Sequence, residues 1–85
     1  MAYAVAFSPS AEREFRKLAR EIQRNLRRHL DALENEPRPT GAKKLKGSDD
    51  LWRIRVGDYR IIYEIRDQIL VVLVVRVGHR REVYR

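Results

Sequence analysis

Three arginines, Arg53, Arg55 and Arg60, sit on two runs of alternating side chains joined by Gly57-Asp58. With Gly57 and Asp58 as a two-residue hairpin loop, Val56 faces Tyr59, Arg55 faces Arg60 and Ile54 faces Ile61. Partners across a ladder share a face, so Trp52, Ile54, Tyr59, Ile61 and Tyr63 form an apolar side while Arg53, Arg55 and Arg60 crowd the other. Like charges placed directly opposite weaken a hairpin, and a sequence shaped only by folding would carry Glu or Thr at one of these positions. Such a break in local consistency points to a task, most simply holding a phosphate or another anion, which the planar guanidinium fork suits. The C-terminal residues add a second cationic group, Arg80 and Arg81 beside His79, with Tyr84 close behind. The aliphatic run before them anchors this segment near the sheet, so a site of Arg53, Arg55, Arg60 and Arg80 is sterically reachable. The side to which residues beyond Gly78 point is not fixed by the pattern.

The elements that would position these groups follow from periodicity. Tyr3, Val5 and Phe7 alternate with Ala4 and Ala6 as a short strand. Ser8-Pro9 has the form of an N-cap followed by proline in the first helical turn. From Ala11 the apolar positions Phe15, Leu18, Ile22, Leu26, Leu30 and Leu33 step by three or four, the helical period. An unbroken helix over residues 9–35 would be about 40 Å long, against roughly 30 Å for the diameter of a small domain. A break is therefore expected between Leu18 and Ile22, giving a helical hairpin that Pro37 and Pro39 end near Asn35. Residues 40–50 read as a basic loop carrying Lys43, Lys44 and Lys46. After the hairpin, Asp67-Gln68 marks a turn. The nearly continuous aliphatic run 69–77 then predicts a strand covered on both faces, the central or most buried one, ended by Gly78.

Composition sets the outer limits. With 85 residues there is room for a single domain over residues 1–85. A chain 44% hydrophobic and 36% charged, with four Gly and three Pro, is not a disordered or low-complexity segment. The absence of Cys removes disulfide scaffolds, thiolate metal sites and cysteine nucleophiles together. Neither a His-x-x-x-His pattern nor clustered carboxylates appear, so no metal is expected, and His29 reads as surface. No run approaches the roughly 20 apolar residues of a membrane span, and residues 1–7 are unlike a signal peptide; a cytoplasmic protein without a membrane partner is expected. Nineteen Lys and Arg against twelve Asp and Glu give a net charge of +7, and fifteen of those cations are Arg. A polyanionic partner is expected. The cations of the helical segment interleave with Glu12, Glu14 and Glu21 and read mostly as a solvated face.

Leu45-Lys46-Gly47, Trp52-Arg53-Ile54-Arg55-Val56, the run from Gly57 through Glu64 and the run from Val75 through Tyr84 closely resemble the RelE toxins of bacterial and archaeal toxin–antitoxin systems, in order and spacing across essentially the whole chain. The resemblance implies an α+β fold, an N-terminal strand and α-helical hairpin packed on a small, mostly antiparallel β-sheet. It also implies cleavage of messenger RNA in the ribosomal A site, with the 70S ribosome and mRNA as partners. A cognate antitoxin, RelB-like or of another type II class, is implied as restraint, and no cofactor. Carried over residue by residue, the family's basic pair on the second strand falls on Arg53 and Arg55 and its next-strand arginine on Arg60. The arginine after the valine-glycine end falls on Arg80, and the C-terminal tyrosine on Tyr84.

The chemistry so implied needs no metal. The 2′-hydroxyl of RNA attacks the adjacent phosphate, giving a 2′,3′-cyclic phosphate and a free 5′-hydroxyl, provided the protein aligns the attack, stabilises the developing charge and moves two protons. Arg60 and Arg80 are assigned to the scissile phosphate, with Arg80 also an acid toward the leaving 5′-oxygen. Tyr84 is assigned to stacking on a base or orienting the 2′-hydroxyl, and Lys43, Lys44, Lys46 and Arg81 to RNA binding. Many RelE relatives carry lysine where this chain has Arg53 or Arg55, and arginine releases a proton reluctantly. His79, with an intrinsic pKa of about 6.5, is the alternative base or acid; otherwise there is no strong base. Two other classes fit the scaffold or the charge: a ParE-like toxin that inhibits DNA gyrase and cuts no RNA, and a non-enzymatic basic binding module.

Overall fold

The computed structural model describes residues 2–47 and 50–79. The chain runs β1 (Ala4–Phe7), α1 (Pro9–Arg16), α2 (Arg20–Ala32), a two-residue strand β2 (Lys43–Lys44), β3 (Leu51–Val56), β4 (Tyr59–Arg66), a 3₁₀ turn at Asp67–Ile69 and β5 (Val71–His79). The strands form one sheet in the order β1-β5-β4-β3-β2, antiparallel except that β1 runs parallel to β5. This is the α+β arrangement expected, with one addition: the basic loop supplies β2, a short edge strand.

Ser8 caps α1 as its sequence predicts, its Oγ accepting the Ala11 amide at 3.1 Å, with Pro9 opening the first turn. The helix break falls at residues 17–19, slightly ahead of the expected span, and no glycine makes it. Gln23, in the first turns of α2, reaches back instead. Its Nε2 donates to the carbonyls of Phe15 and Leu18, each at 3.0 Å, and approaches that of Arg16 at 3.3 Å. One amide thus ties the last turn of α1 to the linker after it, adding a donor where a helix C-terminus runs out of intrahelical partners. The apolar stripe Ala11, Phe15, Leu26, Leu30 and Leu33 is buried against Ile54, Val56, Ile61, Tyr63, Ile65, Val72, Val74 and Val77 of the sheet.

Three expectations for the last strand are corrected. The strand begins at Val71, because Ile69 lies in the 3₁₀ turn and is 63% exposed. Nor is β5 covered on both faces or central: Val72 and Val74 are buried while Val71, Leu73 and Val75 are only half-buried, and β4 is both the middle strand and the more completely buried one. Gly78 does not end the strand but pairs with Arg60 within it. The cause of the misleading pattern is a bulge. Ile62 pairs with Arg76 and Tyr63 with Val74, so Val75 is an extra residue on β5 and the inward parity switches from Val72 and Val74 to Val77. A strand that changes parity halfway carries apolar residues at odd and even positions, as a two-sided strand does.

Polar contacts close the far end of the sheet. The buried Tyr63 hydroxyl donates to the Pro37 carbonyl at 2.8 Å, and burial pushes this phenol up to about 12. Arg38 pairs bidentately with Asp67 at 2.8 and 3.3 Å, Tyr3 donates to the same carboxylate at 2.6 Å, and the Arg38 guanidinium lies 5.4 Å from the centre of the Trp52 ring. The Arg38 hydrogen bonds, with that from Tyr3, hold the Asp67 carboxyl below its usual range. Among the described residues no helix is long and apolar enough to cross a membrane.

Two stability outcomes follow. Replacing Gln23 by Ala returns the α1 carbonyls to partial solvation and lowers the unfolding free energy by about 1 kcal/mol, read from urea denaturation. For Tyr63, the phenol ionises near pH 10.0 when unexposed to the fold and near 12 within it, so the stability contributed by its neutral form is complete below pH 10.0 and is lost as pH rises toward 12. Tyr63→Phe is therefore somewhat less stable at neutral pH, lacking the Pro37 bond, yet shows a shallower fall across this alkaline window in pH-dependent denaturation.

Candidate functional site

The hairpin forms with the expected register. Gly57 takes φ +61°, and Asp58 stays at negative φ, so the left-handed position is the first of the two loop residues, where glycine carries no Cβ penalty. Val56 pairs with Tyr59, Arg55 with Arg60, Ile54 with Ile61 and Arg53 with Ile62. Extending these rungs across the sheet gives two rows on the face opposite the helices. One runs Lys43, Arg53, Ile62, Arg76; the next runs Arg55, Arg60, Gly78. Among the described residues no helix packs on this face.

Burial within the rows is uneven. Arg60 is only 8% exposed and Ile62 only 7%, though neither belongs to the inner core. Long arginine stems can cover an aliphatic floor while their charged ends stay at the surface, and Ile62 lies between Arg53 and Arg76 in register. Arg55 is exposed and Arg53 half-buried. Two carboxylates bordering the face engage other arginines: Glu64 bonds Arg66, and Glu14 of α1 bonds Arg76. A surface with this many guanidiniums, one of them largely buried beside a glycine, can hold a phosphate through paired charge-assisted hydrogen bonds.

The structure divides the other sequence-picked residues. Lys43 joins the arginine face through its pairing with Arg53, whereas Lys44 pairs with Trp52 and so shares the opposite face; Lys46 is exposed in the turn that follows. His79 does not join the arginines. It pairs with Tyr59, whose ring it meets edge-on at 5.7 Å, and so shares the face of Trp52 and the core. Arg80, Arg81 and Tyr84 lie outside the described residues.

Comparison with known proteins places this geometry. The family model described as "ParE toxin of type II toxin-antitoxin system, parDE" matches residues 5–84. The mRNA interferase toxin RelE of Escherichia coli K12 is 36% identical over 99% of this chain and 92% of its own length. The crystal structure of the isolated E. coli RelE toxin superposes with a TM-score of 0.83 at 34% identity, covering 98% of this chain and 92% of that one. The RelE of an archaeal RelE–RelB complex from Pyrococcus horikoshii OT3 gives the same score at 30% identity, covering 96% and 99%. The chain belongs to the RelE/ParE family of type II toxins.

Within this RelE/ParE chain, sequence reasoning missed Arg76 and its partner Glu14. An arginine inside an aliphatic run gives no sign of its face until the bulge is known, and Glu14 reads as one acidic residue among helix cations. The signal that could have found them is the parity conflict itself, since Val72, Val74 and Val77 cannot all face inward on a regular strand.

Because Arg55 and Arg60 oppose each other, Arg55→Thr relieves repulsion and raises unfolding free energy by about 0.2–1 kcal/mol, while weakening retention on an immobilised polyanion. Both changes shrink as salt rises. Denaturation midpoints and elution salt concentrations measured on the same preparations check the pair; a variant that loses stability contradicts the assigned repulsion.

Proposed function

We propose that this protein is a ribosome-dependent endoribonuclease toxin that cuts messenger RNA in the A site and is held in check by a cognate antitoxin. The observation that carries this is the Arg55–Arg60 rung, flanked by Arg53 and Lys43 on the face away from the helices, in a chain 36% identical to an mRNA interferase toxin. The relative from P. horikoshii crystallised as a RelE–RelB complex, which supports the antitoxin partner. Action on ribosomes places the protein in the cytoplasm.

The reaction is an internal transfer. The 2′-oxygen bonds to phosphorus, the bond from phosphorus to the 5′-oxygen breaks, one proton leaves the 2′-hydroxyl and another reaches the departing oxygen. Arg60, partly shielded from water, and Arg55 stabilise charge on the non-bridging oxygens, where low dielectric strengthens each contact. Lys43 and Arg53 extend the cationic row toward the sheet edge and hold the flanking backbone. Arg80 is assigned to the phosphate and leaving oxygen, Tyr84 to the base or 2′-hydroxyl, and Arg81 with Lys46 to more distant phosphates. The contact of His79 with Tyr59 turns it from this face, which favours a mechanism without a strong protein base: charge stabilisation here, alignment of the RNA supplied by the ribosome. A face of guanidiniums repels divalent cations, which supports metal-independent cleavage.

A second reading, the ParE-like gyrase inhibitor, is favoured by the description of the matching family model. Programmed ribosomes incubated with purified protein separate the two. Cleavage of ribosome-bound messenger, with cyclic phosphate ends and little cutting of free RNA, is expected, undiminished by a chelator while magnesium for the ribosome is buffered. Arg60→Ala is expected to lower the cleavage rate by about 10²-fold or more with the circular dichroism spectrum retained. Intact messenger together with blocked gyrase supercoiling would establish the ParE-like alternative instead.

A further inference from the structure

The edge of β5 is closed in two different ways. Beside residues 71–74 it pairs with β1, and the last link there is the Ser8 amide donating to the Val74 carbonyl at 2.8 Å. Beyond that point the chain of β1 has turned into α1, and no strand continues the edge among the described residues. The backbone here contains the Val75 bulge, where ladder pairing is interrupted. A bulged edge with no neighbouring strand among the described residues is a poor place to hold residues in fixed register, yet Gly78 must lie opposite Arg60.

Glu14 of α1 meets this need. One carboxylate oxygen accepts the Val77 amide at 2.9 Å and the other accepts Arg76 Nε at 3.0 Å. Both partners lie just past the bulge, and both bonds are charge-assisted, about twice as strong as neutral ones. The carboxylate does for residues 76–77 what β1 does for residues 71–74. It also draws the Arg76 head toward α1, although the backbone of Arg76 stands in the row of Arg53 and Ile62.

Resting on the ribonuclease reading, we infer that Glu14 is a positioning residue for messenger cleavage, bracing the bulged end of β5 so that Gly78 stays opposite Arg60. Glu14 touches no substrate. Its contribution lies in the geometry of the arginine face, so its loss appears in the rate of the bound complex more than in its formation.

The test compares Glu14→Ala, Glu14→Gln and Arg60→Ala in cleavage of ribosome-bound messenger, with amide exchange at Val77 followed by NMR. Glu14→Ala is expected to lower kcat by about tenfold with KM within about twofold, rates being normalised to the folded fraction, and to speed Val77 exchange. Glu14→Gln, whose amide oxygen still accepts the Val77 amide, recovers part of both. A Glu14→Ala kcat within twofold of the parent, alongside an inactive Arg60→Ala, overturns the positioning role and leaves the ribonuclease reading standing. A rate loss that vanishes on normalisation overturns it equally, as a purely structural effect. Full cleavage by Arg60→Ala overturns the ribonuclease assignment of this face, and the role of Glu14 with it.

Discussion

Ile54 against Ile61 and Val56 against Tyr59 turn their side chains to the helices, and because side chains alternate along a strand, the register that seats these pairs also sets Arg55 against Arg60 on the opposite face. The two consequences cannot be separated. Slipping β3 by one residue would relieve the arginines but would turn Ile54, and with it the core, out to solvent. Each buried aliphatic side chain is worth about 1.5–3 kcal/mol, whereas a like-charge pair across a ladder costs at most about 1 kcal/mol. The core therefore fixes the hairpin, and the arginines tolerate their neighbours. A phosphate between them, as the proposed function requires, would turn that like-charge opposition into paired attraction.

A small sheet with an unbalanced face needs restraint at its margins, and it comes from single polar side chains reaching across the chain. Gln23 closes the end of α1, Tyr63 ties β4 to Pro37, and Arg38 with Asp67 and Tyr3 links the N-terminal strand, the segment after α2 and the turn into β5. None of these lies on the arginine face. Stability is thus gathered at the opposite end and the helix side, and the arginine face is left to be shaped by its charge.

Much of this was legible because it is local. The Ser8-Pro9 cap, the helical stripe through Leu33 and the Gly57-Asp58 loop each depend on residues a few positions apart, and hairpin register follows from counting outward from the loop. What stayed hidden depends on distance or on a defect. The α1–α2 turn carries no glycine because Gln23, eight residues from Phe15, supplies the cap. The aliphatic run through Val77 imitated two-sided burial because a bulge switches its parity at Val75. Lys43 and Lys44 read alike as loop cations, and a two-residue strand sends them to opposite faces. His79 followed the same arithmetic: one residue past Gly78, it takes the other side and meets Tyr59 rather than the arginines.

RelE and ParE toxins share a scaffold, and the comparisons reflect that, the matching family model bearing one name and the full-length relative from E. coli K12 the other. Scaffold likeness alone cannot assign the chemistry, since helical hairpin, sheet order and core would serve either activity. The assignment rests on what the scaffold does not require. Arg53, Arg55 and Arg60 all point away from the core, and by cross-strand pairing alone Thr or Glu would suit the hairpin better at one of them. Arginine in place of a lysine is also no neutral exchange: a guanidinium holds a phosphate with two parallel bonds but keeps its proton, so under the proposed ribonuclease function this face would stabilise charge rather than accept protons. An enzyme of that design draws its proton transfers from outside the cluster, and a substrate already bent into the attacking geometry is then the condition for useful speed.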